Sequence, residues 1–76
     1  MFVEINHAIY NKYRLIRVYI TVDSEGNDIV LADVDSGSGI EQVEMTCDQD
    51  VGGIGASNVY YEARRKLVDV SHAAEV

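Results

Sequence analysis

Leu15-Ile16-Arg17-Val18-Tyr19-Ile20-Thr21-Val22 is followed at once by Asp23-Ser24-Glu25-Gly26-Asn27, and the reading of this stretch decides the fold. Ile16, Val18, Ile20 and Val22 alternate with Leu15, Arg17, Tyr19 and Thr21, the period-2 pattern of a strand rich in β-branched and aromatic residues. The strand is expected over 12–23. The next residues supply turn chemistry. A three-residue loop, Ser24-Glu25-Gly26, places Gly26 at the left-handed position of a bulged hairpin, where a missing Cβ removes the steric cost. That register sets Ile20 opposite Val30 and Val18 opposite Ala32 on one face. On the other face it sets Arg17 opposite Asp33 as a cross-strand ion pair.

Outward from this hairpin, the second strand spans 28–35 and stops in the flexible turn Ser36-Gly37-Ser38-Gly39. A third strand is expected over 40–47, with Val43, Met45 and Cys47 on one face and Gln42, Glu44 and Thr46 on the other, as in a sheet with one wet side. A loop over 48–56 leads to a helix over 57–70, where Val59, Ala63, Leu67 and Val70 recur at helical spacing. Ser57 or Asn58 is expected to cap it, and Glu62 and Lys66 form an i,i+4 pair. Residues 2–10 fit either a helix face or a strand. The dominance of β-branched residues favours the strand. The fold class is α+β: an antiparallel sheet of three or four strands with one C-terminal helix packed on it. Val18, Ile20, Val30, Val43, Met45, Ala63 and Leu67 are the expected core.

Seventy-six residues make one domain. Cys47 is the sole cysteine, so no disulfide can form within the chain, and a reducing, cytoplasmic setting is expected. No apolar run approaches the roughly 20 residues of a membrane helix, and the first residues do not resemble a signal peptide.

Net charge is −7, with 13 acids against 6 bases. The bases sit at Lys12, Arg14 and Arg17, and then at Arg64, Arg65 and Lys66. Between them lie Asp23, Glu25, Asp28, Asp33, Asp35, Glu41, Glu44, Asp48, Asp50 and Glu62, with no base among them. Such a field repels nucleic acid and membrane surfaces and attracts basic protein surfaces. The plainer alternative is a coat that keeps a small domain soluble.

Motifs for chemistry are weak. Gly52-Gly53-Ile54-Gly55-Ala56-Ser57-Asn58 precedes a helix as phosphate loops do, but it lacks the Lys-Ser/Thr ending and follows Asp48 and Asp50. It reads as a flexible connection. Cys47 with His7 or His72 as base would need an electropositive setting, and it instead precedes Asp48 on the apolar side of a strand, as a buried structural cysteine. Asp33/Asp35 and Asp48/Asp50 lack the further oxygens of a calcium loop. No catalytic residue, metal or cofactor is expected. Tyr13, Leu15, Tyr19, Ile29 and Leu31 fall on the face opposite Ile16, Val18, Ile20 and Val30, which a single helix cannot also cover. Either the N-terminal segment packs over that face or it is left for a partner.

The hairpin from Tyr19 to Asp35, the third strand, the stretch Gly52-Gly53-Ile54-Gly55 and the helix bearing Arg64-Arg65-Lys66 resemble the layout of small phage-encoded anti-CRISPR proteins. The resemblance covers most of the chain. It implies a phage protein in the host cytoplasm that inhibits a CRISPR effector by occupying its basic nucleic-acid-binding surface or a subunit interface. The acids would then stand in for phosphates. The partner-binding residues expected on this reading are Asp33, Asp35, Glu41, Glu44, Tyr13 and Tyr19, with no direct contact to nucleic acid or membrane. The alternative is a small antitoxin-like or self-associating structural domain, with a homodimer as its partner state. A double-stranded-RNA-binding fold is excluded, because Ser57-Asn58-Val59-Tyr60-Tyr61-Glu62 carries no base.

Overall fold

The computed structural model describes the backbone of residues 1–75 and the side chains of residues 1–67. Val70 and His72, considered above as part of the helical repeat and as a base, therefore have side chains outside the described residues. The elements in chain order are β1 (Phe2–Ile5), β2 (Ala8–Asn11), a 3-10 turn (Lys12–Arg14), β3 (Leu15–Val22), β4 (Asp28–Asp35), β5 (Ile40–Glu44) and α1 (Ile54–Glu75). β3, β4 and β5 form an antiparallel sheet in that order, β1 and β2 form a separate two-stranded sheet, and the helix completes an α+β layout.

The β3–β4 register follows the expected one: Ile20 faces Val30, Val18 faces Ala32, and Arg17 faces Asp33. The turn is held by the Asp23 carboxylate, whose Oδ1 accepts from the backbone N–H of Glu25 and of Asn27, both at 2.9 Å. Gly26 has φ +84°, the left-handed conformation that a residue without Cβ adopts at no steric cost. The strand begins at Leu15 rather than at residue 12, because Lys12–Arg14 forms a 3-10 turn whose Tyr13 N–H is capped by the Asn11 side chain.

One feature of β3 overturns a sequence expectation. The register shifts between Leu15 and Arg17, so Ile16 is the extra residue of a β-bulge and Leu15 pairs with Val34. Val34 shares a face with Ala32 and Val30, so Leu15 lies on the core face and packs there. It is not on the second face with Tyr19.

The N-terminal segment is not one strand but a hairpin. Asn6 and His7 have φ of 51° and 67°, and Ile5 pairs with Ala8 around them. Two central residues with positive φ make the primed turn whose twist matches the flanking strands. Asn and His are among the few residue types that enter this region.

The core lies between the inner face of the three-stranded sheet, the hairpin and the helix. Val3, Ile5, Val30, Ala32, Met45, Ala56, Val59 and Ala63 are buried together, with Leu15, Val18, Tyr10, Tyr60 and Leu67 packed against them. Ile20 is an exception to the expected core at 40% exposure, as it lies toward the turn end of an edge strand. Val43 is half-buried. Val3 and Ile5 enter the same core as the helix, so the N-terminal segment does not cover the second face of the sheet.

Two boundaries also move. The β5 ladder ends at Glu44, although Met45 still donates its N–H to the Val30 carbonyl at 2.8 Å. Beyond it the chain turns. Cys47 is exposed, contrary to the buried position that continued alternation would give it. The helix begins at Ile54 and continues to Glu75, so Ser57 and Asn58 lie inside it and cap nothing. Ser57 N–H donates to the Gly53 carbonyl at 3.1 Å, the i to i−4 bond of a helical first turn. Gly55 permits this early start. A Cβ there would lie 2.6 Å from Asp50 Cα and 2.8 Å from the Asp50 carbonyl oxygen.

Candidate functional site

Residues opposed across an antiparallel pair share a face. The outer face of the three-stranded sheet therefore presents Arg17, Tyr19 and Thr21 from β3, Ile29, Leu31, Asp33 and Asp35 from β4, and Gln42 and Glu44 from β5. Arg17 organises it. Its Nε donates to Asp33 Oδ2 at 2.9 Å, and its guanidinium carbon lies 4.3 Å from the centroid of the Tyr19 ring. Gln42 donates from the next strand but one to the Tyr19 hydroxyl. Tyr19 and Leu31 are half-buried and Ile29 is buried, so this face is a tied polar layer over apolar stems and not a bare hydrophobic patch.

The six expected partner-binding residues do not form one group. Tyr19, Asp33 and Glu44 share the outer face, and Asp35 lies at its far end, where its Oδ1 accepts from the Gly37 N–H at 2.9 Å. Glu41 pairs with Val34 and so belongs to the inner side. Tyr13 stands in the 3-10 turn at 75% exposure.

A second group forms at the other end of the sheet. Asp23, Ser24, Glu25 and Asn27 from the β3–β4 turn, Glu44 from the end of β5, and Asp48 and Val51 from the following loop line an open cleft of about 490 Å³. Four of these seven are carboxylates and none is basic. Asp23, Glu25 and Asp48 were not among the residues expected to bind. The sheet topology contains the signal for them. β5 runs antiparallel to β4, so its C-terminal end lies beside the turn that precedes β4, and acids far apart in sequence converge there.

In the same loop as Asp48 and Val51, Asp50 anchors a polar knot that ties the chain together. Asp50 Oδ2 accepts from the Asn6 side-chain amide at 2.6 Å, from the Cys47 N–H at 3.2 Å and from the Cys47 thiol at 3.0 Å. The hydrogen bonds from Cys47 and Asn6 hold the Asp50 carboxyl below its usual pKa. Asn6 also donates its side-chain amide to the Met45 carbonyl at 2.9 Å and its backbone N–H to Glu62 Oε1 at 3.0 Å. Lys66 bridges Glu62, at 2.9 Å, and the Glu4 carbonyl. Hydrogen bonding from Lys66, and then from Asn6, holds the Glu62 carboxyl low.

Among the described residues no group of three or more His, Cys, Asp or Glu side chains is arranged to hold a metal ion. Nor is any described helix long and apolar enough to cross a membrane. His7 is exposed at the hairpin turn, and the Cys47 thiol is bonded to a carboxylate, not to a base. No protein-family model, curated protein or solved structure matches this chain.

Proposed function

We propose that this domain is a protein-binding inhibitor that docks its acidic cleft and outer sheet face on a basic, nucleic-acid-binding surface, as an anti-CRISPR protein acting on a CRISPR effector would. The observation that carries this reading is the convergence of Asp23, Glu25, Glu44 and Asp48 around an open cleft with no base among the described residues that line it. Like charges are brought together there from three separate segments, without a cation to offset them. Such an arrangement raises the negative potential at the sheet end and speeds encounter with Lys- and Arg-rich surfaces. Tyr19, steadied by Arg17 and Gln42, adds a rigid aromatic contact next to the charge.

The reading is non-enzymatic. It rests on binding through charge and shape rather than on a nucleophile or a general base. Purified CRISPR effector complexes, incubated with the protein and then with labelled target DNA, provide the test by electrophoretic mobility. Loss of DNA binding by an effector, relieved by Glu44→Lys with Asp48→Lys and by added salt, supports the proposal. Inhibition that survives both changes, or no inhibition of any effector tried, overturns it.

A further inference from the structure

The three-stranded sheet has two outer edges, and they differ in charge. At one edge, β5 carries Glu41 and Glu44 within its five residues and no base. Two copies aligned antiparallel there would set carboxylates among carboxylates, which is how acidic edge strands resist pairing. β3, at the other edge, has eight residues, no acid and no proline, and Arg17 is its single charge. Among the described residues no strand pairs with its outer side. Its regular portion, residues 18–22, follows the bulge. On its inner face Ile20 and Val22 are 40% and 58% exposed.

The flanks of β3 carry opposite signs. Lys12 and Arg14 precede it, and Asp23 and Glu25 follow it. An antiparallel partner reverses one strand relative to the other, so a second β3 would bring each basic start beside an acidic finish, twice by symmetry. Centred on Ile20, the pairing sets Ile20 against its own counterpart and Val18 against Val22 of the second copy. It also sets Arg17 against Asp23 of the second copy. No like charges meet. The bulge confines regular pairing to residues 18–22 and thereby limits slippage.

We propose that a second copy of this chain docks antiparallel on the β3 edge, joining the two sheets into one of six strands and covering Ile20 and Val22. The backbone groups of an unpaired edge supply the hydrogen bonds, and the reversed charge pairs supply register. The dimer shares Asp23 and Glu25 with the acidic cleft, whereas Glu44 and Asp48 lie off this edge, so substitutions at these last two separate the inference from the inhibitor reading.

Sedimentation velocity of the intact chain, from micromolar to millimolar concentration, tests it. The expected species has twice the 8.4 kDa chain mass and dissociates on dilution and at high salt. Arg14→Glu and Glu25→Lys each put like charges together at both ends and should weaken the dimer about tenfold or more. The combined Arg14→Glu/Glu25→Lys chain restores opposite signs and should recover dimerisation to within about threefold of wild type. Ile20→Glu, which sets two carboxylates on the symmetry axis, should give monomer with an unchanged circular dichroism spectrum. Glu44→Lys should leave the dimer intact. A wild-type chain that stays monomeric throughout, or a double variant no better than either single one, overturns the proposal.

Discussion

Asn6 and Asp50, 44 residues apart, meet through a 2.6 Å hydrogen bond that joins the N-terminal hairpin to the loop before the helix. The same side-chain amide reaches the Met45 carbonyl, and the Asn6 N–H reaches Glu62. One residue thus sets the turn of the hairpin and fastens it to the end of β5, the loop and the helix. Asn6→Gly keeps the positive φ accessible but deletes the amide. It should lower stability by about 1–3 kcal/mol, since buried or half-buried acceptors lose their donor. Asn6→Ala also adds the left-handed strain of a Cβ, about 1–2 kcal/mol more. Urea unfolding of the two variants separates the parts, and equal midpoints for both and for wild type would show that the knot holds nothing.

Acid should loosen this knot in a defined window. Hydrogen bonds hold the Asp50 and Glu62 carboxyls below their usual values in the folded chain. A carboxyl lowered by folding contributes stability that is complete above the unfolded pKa, about 4, and that is lost as pH falls through the folded value. The midpoint of thermal unfolding should therefore stay level near neutrality and fall below about pH 4. Asp50→Asn and Glu62→Gln should each flatten that fall. Parallel pH profiles for wild type and both variants would contradict the assignment.

The β3–β4 hairpin was legible because two independent signals agree there: alternation sets which residues share a face, and Asp23 with Gly26 sets the loop length. Where one signal stands alone, it misleads. Asn6-His7 contains no Gly or Pro, so its turn was hidden in an apolar run. The bulge at Ile16 leaves no trace in the alternation, yet it moves Leu15 to the core. Cys47 continues the pattern of Val43 and Met45, but the ladder ends before it. The acidic cleft depends on tertiary convergence of three segments, and only the strand order reveals it.

Gly55 sets two effects of opposite sign against each other. Alanine in a helix is favoured over glycine by about 1 kcal/mol. The added Cβ would lie 2.6 Å from Asp50 Cα, a backbone atom that cannot swing aside. Overpacking of this kind costs about 1–3 kcal/mol, and here the loop that carries Asp50 must shift with it. The clash should win. Gly55→Ala is expected to destabilise the fold and to weaken the bonds to Asp50, seen as faster exchange at the Asn6 side-chain amide and at the Cys47 N–H. A more stable variant would mean that the helix starts later than Ile54.

Ile5 and Ile9 lie on opposite faces of the N-terminal hairpin and should respond oppositely to the same truncation. Ile5 is fully buried among Val30, Ala32, Met45 and the helix residues Ala56, Val59 and Ala63, whereas Ile9 is 73% exposed. Ile5→Ala leaves a cavity that sheet and helix cannot both close, and it should cost about 2–5 kcal/mol. Ile9→Ala removes surface atoms and should change stability by no more than about 0.5 kcal/mol. Chemical denaturation of the two variants under one set of conditions distinguishes a hairpin built into the core from one that merely rests on it. In the second case both truncations would be mild, and a chain lacking the hairpin would unfold at the wild-type midpoint. The joint burial of Val3 and Ile5 with the helix predicts the first, because removing either layer exposes the other.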